Sequence, residues 1–282
     1  MKKPRAFPSP SVSLKVLFAS AARKAVILRR GPREHFHLIA WDLESDRFER
    51  GQWIRGVVRL SDLSADGTRL LYWVAQYHLE KTRLIPNYNP EPDAANNAPR
   101  MGRRRIPRYL RDETSSPAVP QTVSFSTWTA ISKPPYFTAL AFWPSMGTWT
   151  GGGHFGADGS IYLAEFNLDP IAHVAPPDVP VHGIALKDKL GAKRIARLGD
   201  VERYLHQSDV ALALYLKGAH CIHWVDLDVR TGVTFAYDGQ IFRSRVAAAA
   251  SPENIVEKSE LIADFSTLIF EQIPPAPSAL QW

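Results

Sequence analysis

Six arginines crowd one short stretch, at Arg100, Arg103, Arg104, Arg105, Arg108 and Arg111, interleaved with Met101, Ile106, Tyr109 and Leu110. Arginine forks match the geometry of carboxylate and phosphate, and an aromatic ring alongside adds a stacking surface. Two partner classes suit this pattern, an acidic protein surface and nucleic acid, with the protein preferred; a plain solvated insertion is the bland reading. A second cluster is Gly151-Gly152-Gly153-His154-Phe155-Gly156, with Trp149 just ahead of it. Backbone amides in such a loop can approach an oxyanion. The run lacks the Gly-Lys-Ser/Thr ending and following helix of a phosphate loop. Glycines in a strand also permit close packing or a bulge, and that is the reading adopted. His154 then becomes an exposed or hydrogen-bonded side chain, and Trp149 a candidate anchor for a partner.

Metal and nucleophile chemistry find little support. On a strand His220 and His223 point to opposite faces, while Cys221 and His223 share one, and two ligands are too few for a closed site. His35 and His37 also share a face, with no third ligand nearby in sequence. No metal and no cofactor are expected. Cys221 is the single cysteine, so no intrachain disulfide can form, and its apolar setting suits an inert thiol. One thiol fits a reducing compartment, and the working assumption is a cytoplasmic protein. There is no Gly-x-Ser-x-Gly elbow. Asp66, Asp158 and Asp238 each sit in an Asp-Gly turn, and Asp42 and Asp226 precede turns, so turn chemistry accounts for them. No catalytic residue is assigned.

The elements that must position these residues read as strands. Leu63–Val74 (LSADGTRLLYWV), Gly156–Phe166 (GADGSIYLAEF) and Ala236–Val246 (AYDGQIFRSRV) each place Asp-Gly before an apolar, β-branched or aromatic run. That pattern is the signature of a hairpin. Further strand candidates are Ser13–Ala19, Lys24–Arg30, Phe36–Asp42, Arg47–Gln52, Val57–Leu60, Arg69–Ala75, Thr122–Ile131, Tyr136–Trp143, Thr148–Phe155, Lys193–Leu198, Val210–Lys217, His220–Asp228 and Leu261–Ile273. Together they make about sixteen strands. Ala247–Ala250 and the polar stretch to Lys258 read as a short helix or a loop. Trp41, Trp73, Trp128, Trp143 and Trp224 lie within these runs and are assigned to the core.

Two irregular stretches interrupt the pattern. Between Leu84 and Pro120 there are seven prolines and no apolar periodicity, so residues 80–120 form a basic, proline-rich insertion. Residues 167–192 form a second proline-rich connection. The N-terminus has a basic start, but Val16–Ala22 is too short and too interrupted for a signal peptide, and no run approaches a membrane span. The formal charge of +6 favours an acidic partner.

Trp41-Asp42-Leu43 with its turn, the echo at Trp224–Phe235 (WVDLDVRTGVTF) and the three Asp-Gly hairpins resemble the blades of WD-repeat and related β-propellers. The resemblance spans about two thirds of the chain. It departs from the WD pattern in lacking a Gly-His dipeptide per blade and in having Trp41-Asp42 as the one literal Trp-Asp pair. It implies one all-β domain over residues 1–282, a propeller of four or five blades carrying two long insertions, with Leu261–Ile273 closing the ring beside N-terminal strands. A β-sandwich or two smaller β domains is the alternative. The function expected is non-catalytic protein binding, for example masking a toxin as an immunity protein does. The alternatives are a hydrolase or lyase acting in the channel, and a nucleic-acid-associated protein.

Overall fold

The computed structural model describes residues 12–31, 35–76, 81–85, 121–145, 151–164, 170–172, 179–183, 222–228, 232–245 and 252–282. The fold is all-β, built from several antiparallel sheets, none of them closed.

The chain opens with a meander of β1 (Ser13–Phe18), β2 (Lys24–Arg30), β3 (His35–Asp42) and β4 (Arg47–Arg55), which pair in sequence order as the first sheet. Asp42 makes the β3–β4 turn. Its carboxylate accepts the Glu44 N–H at 2.9 Å and the Ser45 hydroxyl at 2.7 Å, the local bonding that favours Asp before a turn. The chain then enters β5 (Val57–Leu63) and returns as β6 (Leu70–Ala75) through the first Asp-Gly turn. Next come β7 (Lys81–Ile85) and β8 (Gln121–Phe125), which pair only with each other.

After Ser126 the strands β9 (Thr127–Ser132) and β10 (Ala139–Ser145) rejoin β5 and β6. The hairpin of β11 (Gly153–Phe155) and β12 (Ile161–Leu163) encloses the second Asp-Gly turn. A short β13 (Ile171–Ala172) completes the second sheet, in the order β13-β10-β9-β6-β5, and β14 (Val181–Gly183) adds in parallel to β12 in the third. The fourth sheet is a meander of β15 (Ile222–Asp228), β16 (Gly232–Tyr237), β17 (Gln240–Ser244) and β18 (Ser259–Asp264). A short helix α1 (Pro252–Glu257) precedes β18.

The sheets stack face on face. Val26 and Leu28 of β2 pack with Val58, Leu60, Tyr72 and Val74 of the second sheet. The alternate residues Ala25 and Ile27 turn the other way, toward Ala236 and Ile241 of the fourth. Leu71, Ile131 and Trp143 of the second sheet meet Ile161 and Leu163 of the third. The order is therefore fourth, first, second, third. Strands such as β2 and β6 have both faces covered, so they read as continuous apolar runs rather than alternating ones. Along one side of the stack β1 lies beside β15 and β5, and β5 lies beside β11.

Four sequence expectations need correction. Thr122–Ile131 is two strands, because β8 leaves with β7 and the chain breaks at Ser126. Residues 80–120 are not irregular throughout, since Lys81–Ile85 forms β7 and pairs with β8, which begins just beyond the stretch. Residues 167–192 likewise supply β13 and β14 as sheet edges. Leu261–Ile273 is a strand only to Asp264, whose carboxylate accepts the Ser266 N–H at 2.8 Å and ends it, and it pairs with β17 rather than with N-terminal strands. Trp41, Trp73, Trp128 and Trp143 are buried as expected; the Trp224 side chain lies outside the described residues, as do residues 193–198, 210–217 and both His220 and Cys221.

Beyond β18 the C-terminal segment straps the stack. Arg29 donates from Nε to the Phe265 carbonyl at 2.7 Å, and from Nη2 to those of Ser266 and Leu268 at 3.3 and 2.9 Å. Farther along, Lys133 of the β9–β10 turn donates to the Ser278 carbonyl at 3.1 Å, and Trp282 packs on the cluster between the second and third sheets.

Candidate partner-binding site

The arginine-rich stretch lies, in sequence, between β7 and β8. The β6–β9 ladder ends at the pair Ala75 and Thr127, and the Gln76 N–H then donates to the Ser126 carbonyl at 2.8 Å. The ladder resumes from Lys81 and Phe125 to Ile85 and Gln121. At strand rise, five residues make a reach of about 17 Å. Phe125 anchors the base: it is buried, edge-on to Trp128 with ring centroids 6.1 Å apart, and 5.8 Å from the Phe142 ring. Residues 86–120 therefore join the two strands at the far end of that ladder. Arg100, Arg103, Arg104, Arg105, Arg108, Tyr109 and Arg111 fall in that connection, outside the described residues; Trp149, which follows β10, also lies outside the described residues.

His154 is described. It lies on β11, exposed, with its ring stacked on Tyr162 at 5.0 Å and an interplanar angle of 4°. Tyr162 in turn lies 5.0 Å from His182. The three are cross-strand neighbours in one row, because residues in register share a face. The glycines beside His154 serve close approach. A Cβ on Gly153 would stand 2.1 Å from the Tyr162 carbonyl oxygen, and the Gly152 N–H donates to Thr129 Oγ1 at 2.7 Å, seating the hairpin on the second sheet. Asp62, at a bulge in β5, reinforces this junction by accepting the Phe155 N–H at 2.8 Å. Burial pushes its carboxyl up, against the downward pull of that bond.

The first two Asp-Gly turns face each other across a cleft of about 470 Å³, lined by Ser64, Asp66, Arg69, Phe155, Asp158 and Val179 among others. Its carboxylates are held in their own turns. Partial burial works to raise Asp66, but hydrogen bonds from the Ser64 hydroxyl at 2.6 Å and from Thr68 N and Oγ1 at 3.0 and 2.7 Å bring it down to about 2. Asp158 is held low by the Ser160 hydroxyl and N–H. Both stay ionised at neutral pH and neither is poised as a general acid there.

Sequence reasoning missed three arginines buried or half-buried between sheets. Arg29 holds the strap, Arg59 stacks 4.4 Å over the Trp73 ring and reaches the Gly151 carbonyl, and Arg243 holds Asp46. A signal was present: Arg29 ends the run Lys24-Ala-Val-Ile-Leu-Arg, where a cation adjoins residues that must be buried. Also unforeseen are Ile269 and Phe270 on the strap, 79% and 56% exposed, large apolar side chains held outward by a pinned backbone.

The fold defines an all-β protein of stacked, mainly antiparallel sheets with a separate two-stranded ladder, β7–β8. Comparison with protein-family models, curated proteins and solved structures finds no match to this chain. Among the described residues no helix is long and apolar enough to cross a membrane, and no group of three His, Cys, Asp or Glu side chains could hold a metal ion.

Proposed function

We propose that this chain is a non-catalytic protein-binding protein, built as a small β-propeller, that takes an acidic protein partner through the connection at the end of the β7–β8 arm. Masking a partner's active surface, as an immunity protein masks a toxin, is the concrete form of this reading. The propeller part is supported by the two four-stranded meanders and by the neighbouring first strands β15, β1, β5 and β11, which stand as inner strands of blades stand about an axis.

The observation that carries the binding part is the continuation of the β6–β9 ladder into β7–β8, anchored by Phe125. The six arginines lie in the sequence that joins these two strands, and arginine forks there suit the carboxylates of an acidic partner. Exposed Ile269 and Phe270 are the kind of apolar residue that anchors protein contacts elsewhere on such a surface.

The register supplies a clean test. Ile85 and Gln121 are direct cross-strand partners, so replacing residues 86–120 with Asn-Gly closes the arm as a two-residue hairpin and leaves the body intact. The full chain, tagged and recovered at moderate salt, retains a stoichiometric protein partner; the shortened chain, folded by circular dichroism, does not. A shortened chain that retains the partner with the same salt dependence overturns the reading, and recovery of nucleic acid in place of protein replaces it.

A further inference from the structure

His37 sits between two of the residues that hold the strap to the first sheet, Arg29 and Trp53. It is fully buried on β3, with Arg29 of β2 as its register partner on one side and Trp53 of β4 on the other. Its ring stacks on Trp53 at 4.2 Å with an interplanar angle of 4°. Trp53 meets Phe270 of the strap edge-on at 5.9 Å, and Arg29 carries the three strap carbonyls. His37 Nε2 lies 3.1 Å from the Gly51 carbonyl, so Nε2 bears the proton and Nδ1 is bare. Among the described residues that buried Nδ1 has no hydrogen-bond partner.

We propose that His37 is an acid-operated latch: a second proton on its ring frees residues 265–271 from the first sheet while the stacked sheets stay folded. The added proton falls on Nδ1, a buried donor with nothing to receive it, and places a cation between two others. The charged groups around the ring are Arg29 on β2, Arg50 on β4 and Glu271 on the strap, with His35 two residues along β3 in register with Arg55. Burial, Arg50 and Arg29 all oppose the charged form, outweighing the Gly51 bond, and hold the His37 pKa down at about 4. Lifting the strap lets water reach the ring, which removes the larger part of that cost.

The strap is the element free to yield. Among the described residues its ties to the first sheet are the Arg29 bonds, the Arg50–Glu271 pair at 3.0 Å, the aromatic contacts of Phe270, and the packing of Phe265 and Leu268 with Phe265 edge-on to Phe48 at 5.3 Å, with no strand ladder between them. β3 by contrast is laddered on both sides, to β2 and β4. The consequence is a C-terminal segment bearing Ile269 and Phe270 that becomes available as a flexible apolar peptide in acid.

The test is amide hydrogen exchange from pH 7.5 to pH 4, corrected for intrinsic rates. It is read at the Phe265 and Leu268 amides, which donate to the Gly239 and Phe265 carbonyls, and at β6 as the body reference. Between the ordinary histidine pKa of 6.5 and about 4, wild-type strap opening rises by up to about tenfold per pH unit while β6 stays protected. His37→Gln, and His37→Phe, which keeps a ring on Trp53, lose that pH dependence; His35→Gln keeps it. Three results overturn the latch: strap protection that is flat to pH 4, strap and β6 exchanging in step in the wild type, or the wild-type profile persisting in either His37 variant.

Discussion

Arg243 on β17 grips both carboxylate oxygens of Asp46, at 2.7 and 2.8 Å, and so bolts the fourth sheet to the β3–β4 turn of the first. The guanidinium side chain is 6% exposed and the carboxylate 38%. Asp46→Asn keeps the left-handed backbone at this position, φ +50°, and removes the charge together with one of the two acceptor oxygens. It strands a buried cation and costs about 2 kcal/mol in denaturant unfolding, below the range for a fully buried pair because Asp46 meets solvent. The Arg243 hydrogen bond holds the Asp46 carboxyl below its ordinary value. The contribution is therefore present above the unfolded-state pKa and is lost as pH falls through the folded one. A wild-type and Asp46→Asn difference that is constant from pH 7 to pH 2 rules this out.

Gly51→Ala separates the first and second sheets. A Cβ there would stand 1.8 Å from the Pro135 carbonyl oxygen, which itself accepts the Gln52 N–H at 3.0 Å. Backbone meets backbone, so no rotamer relieves the clash, and the loss is about 3 kcal/mol or more. Thermal unfolding reads it directly; a variant within about 1 kcal/mol of wild type would show that the two sheets slide freely here.

Arg29→Met keeps the length of an apolar stem and deletes the donors to Phe265, Ser266, Leu268 and Gly31. Stability falls by about 3 kcal/mol, since buried carbonyls lose charged donors together. Truncation before Phe265 removes the strap whole and leaves Arg29 without those acceptors. The truncated chain loses at least as much stability as Arg29→Met, and a product as stable as the wild type would deny the strap its structural role.

Tyr72→Phe tests the junction within the second sheet. The buried phenol donates to the Phe137 carbonyl, and burial pushes its pKa up. Removing the hydroxyl leaves that carbonyl short of a donor, for a loss of about 1–2 kcal/mol with the ring contact to Phe137 kept. An unchanged unfolding midpoint would mean that water replaces the hydroxyl.

Much of the local structure is written in the chain. Asp238-Gly239 closes β16 onto β17 as a two-residue turn, with both φ positive at 49° and 80°, because few residue pairs tolerate that backbone. Asp42 shapes its turn with bonds to its next neighbours, and β2 announces burial on both faces through its unbroken apolar run. Turn chemistry and strand period act over a few residues, so sequence alone determines an all-β chain, its Asp-Gly hairpins and the burial of Trp41, Trp73, Trp128 and Trp143.

What lies between sheets is decided only in three dimensions. Arg29 and Leu268 are far apart in the chain, and nothing near either one signals their bond. The same holds for Arg243 with Asp46 and for Gly51 beneath Pro135. His37 and His35 share a face and look alike in sequence, yet stacking leaves one fully buried beside two cations and the other partly open. Burial and charge depend on which sheet covers which face, a long-range packing outcome that no local pattern encodes.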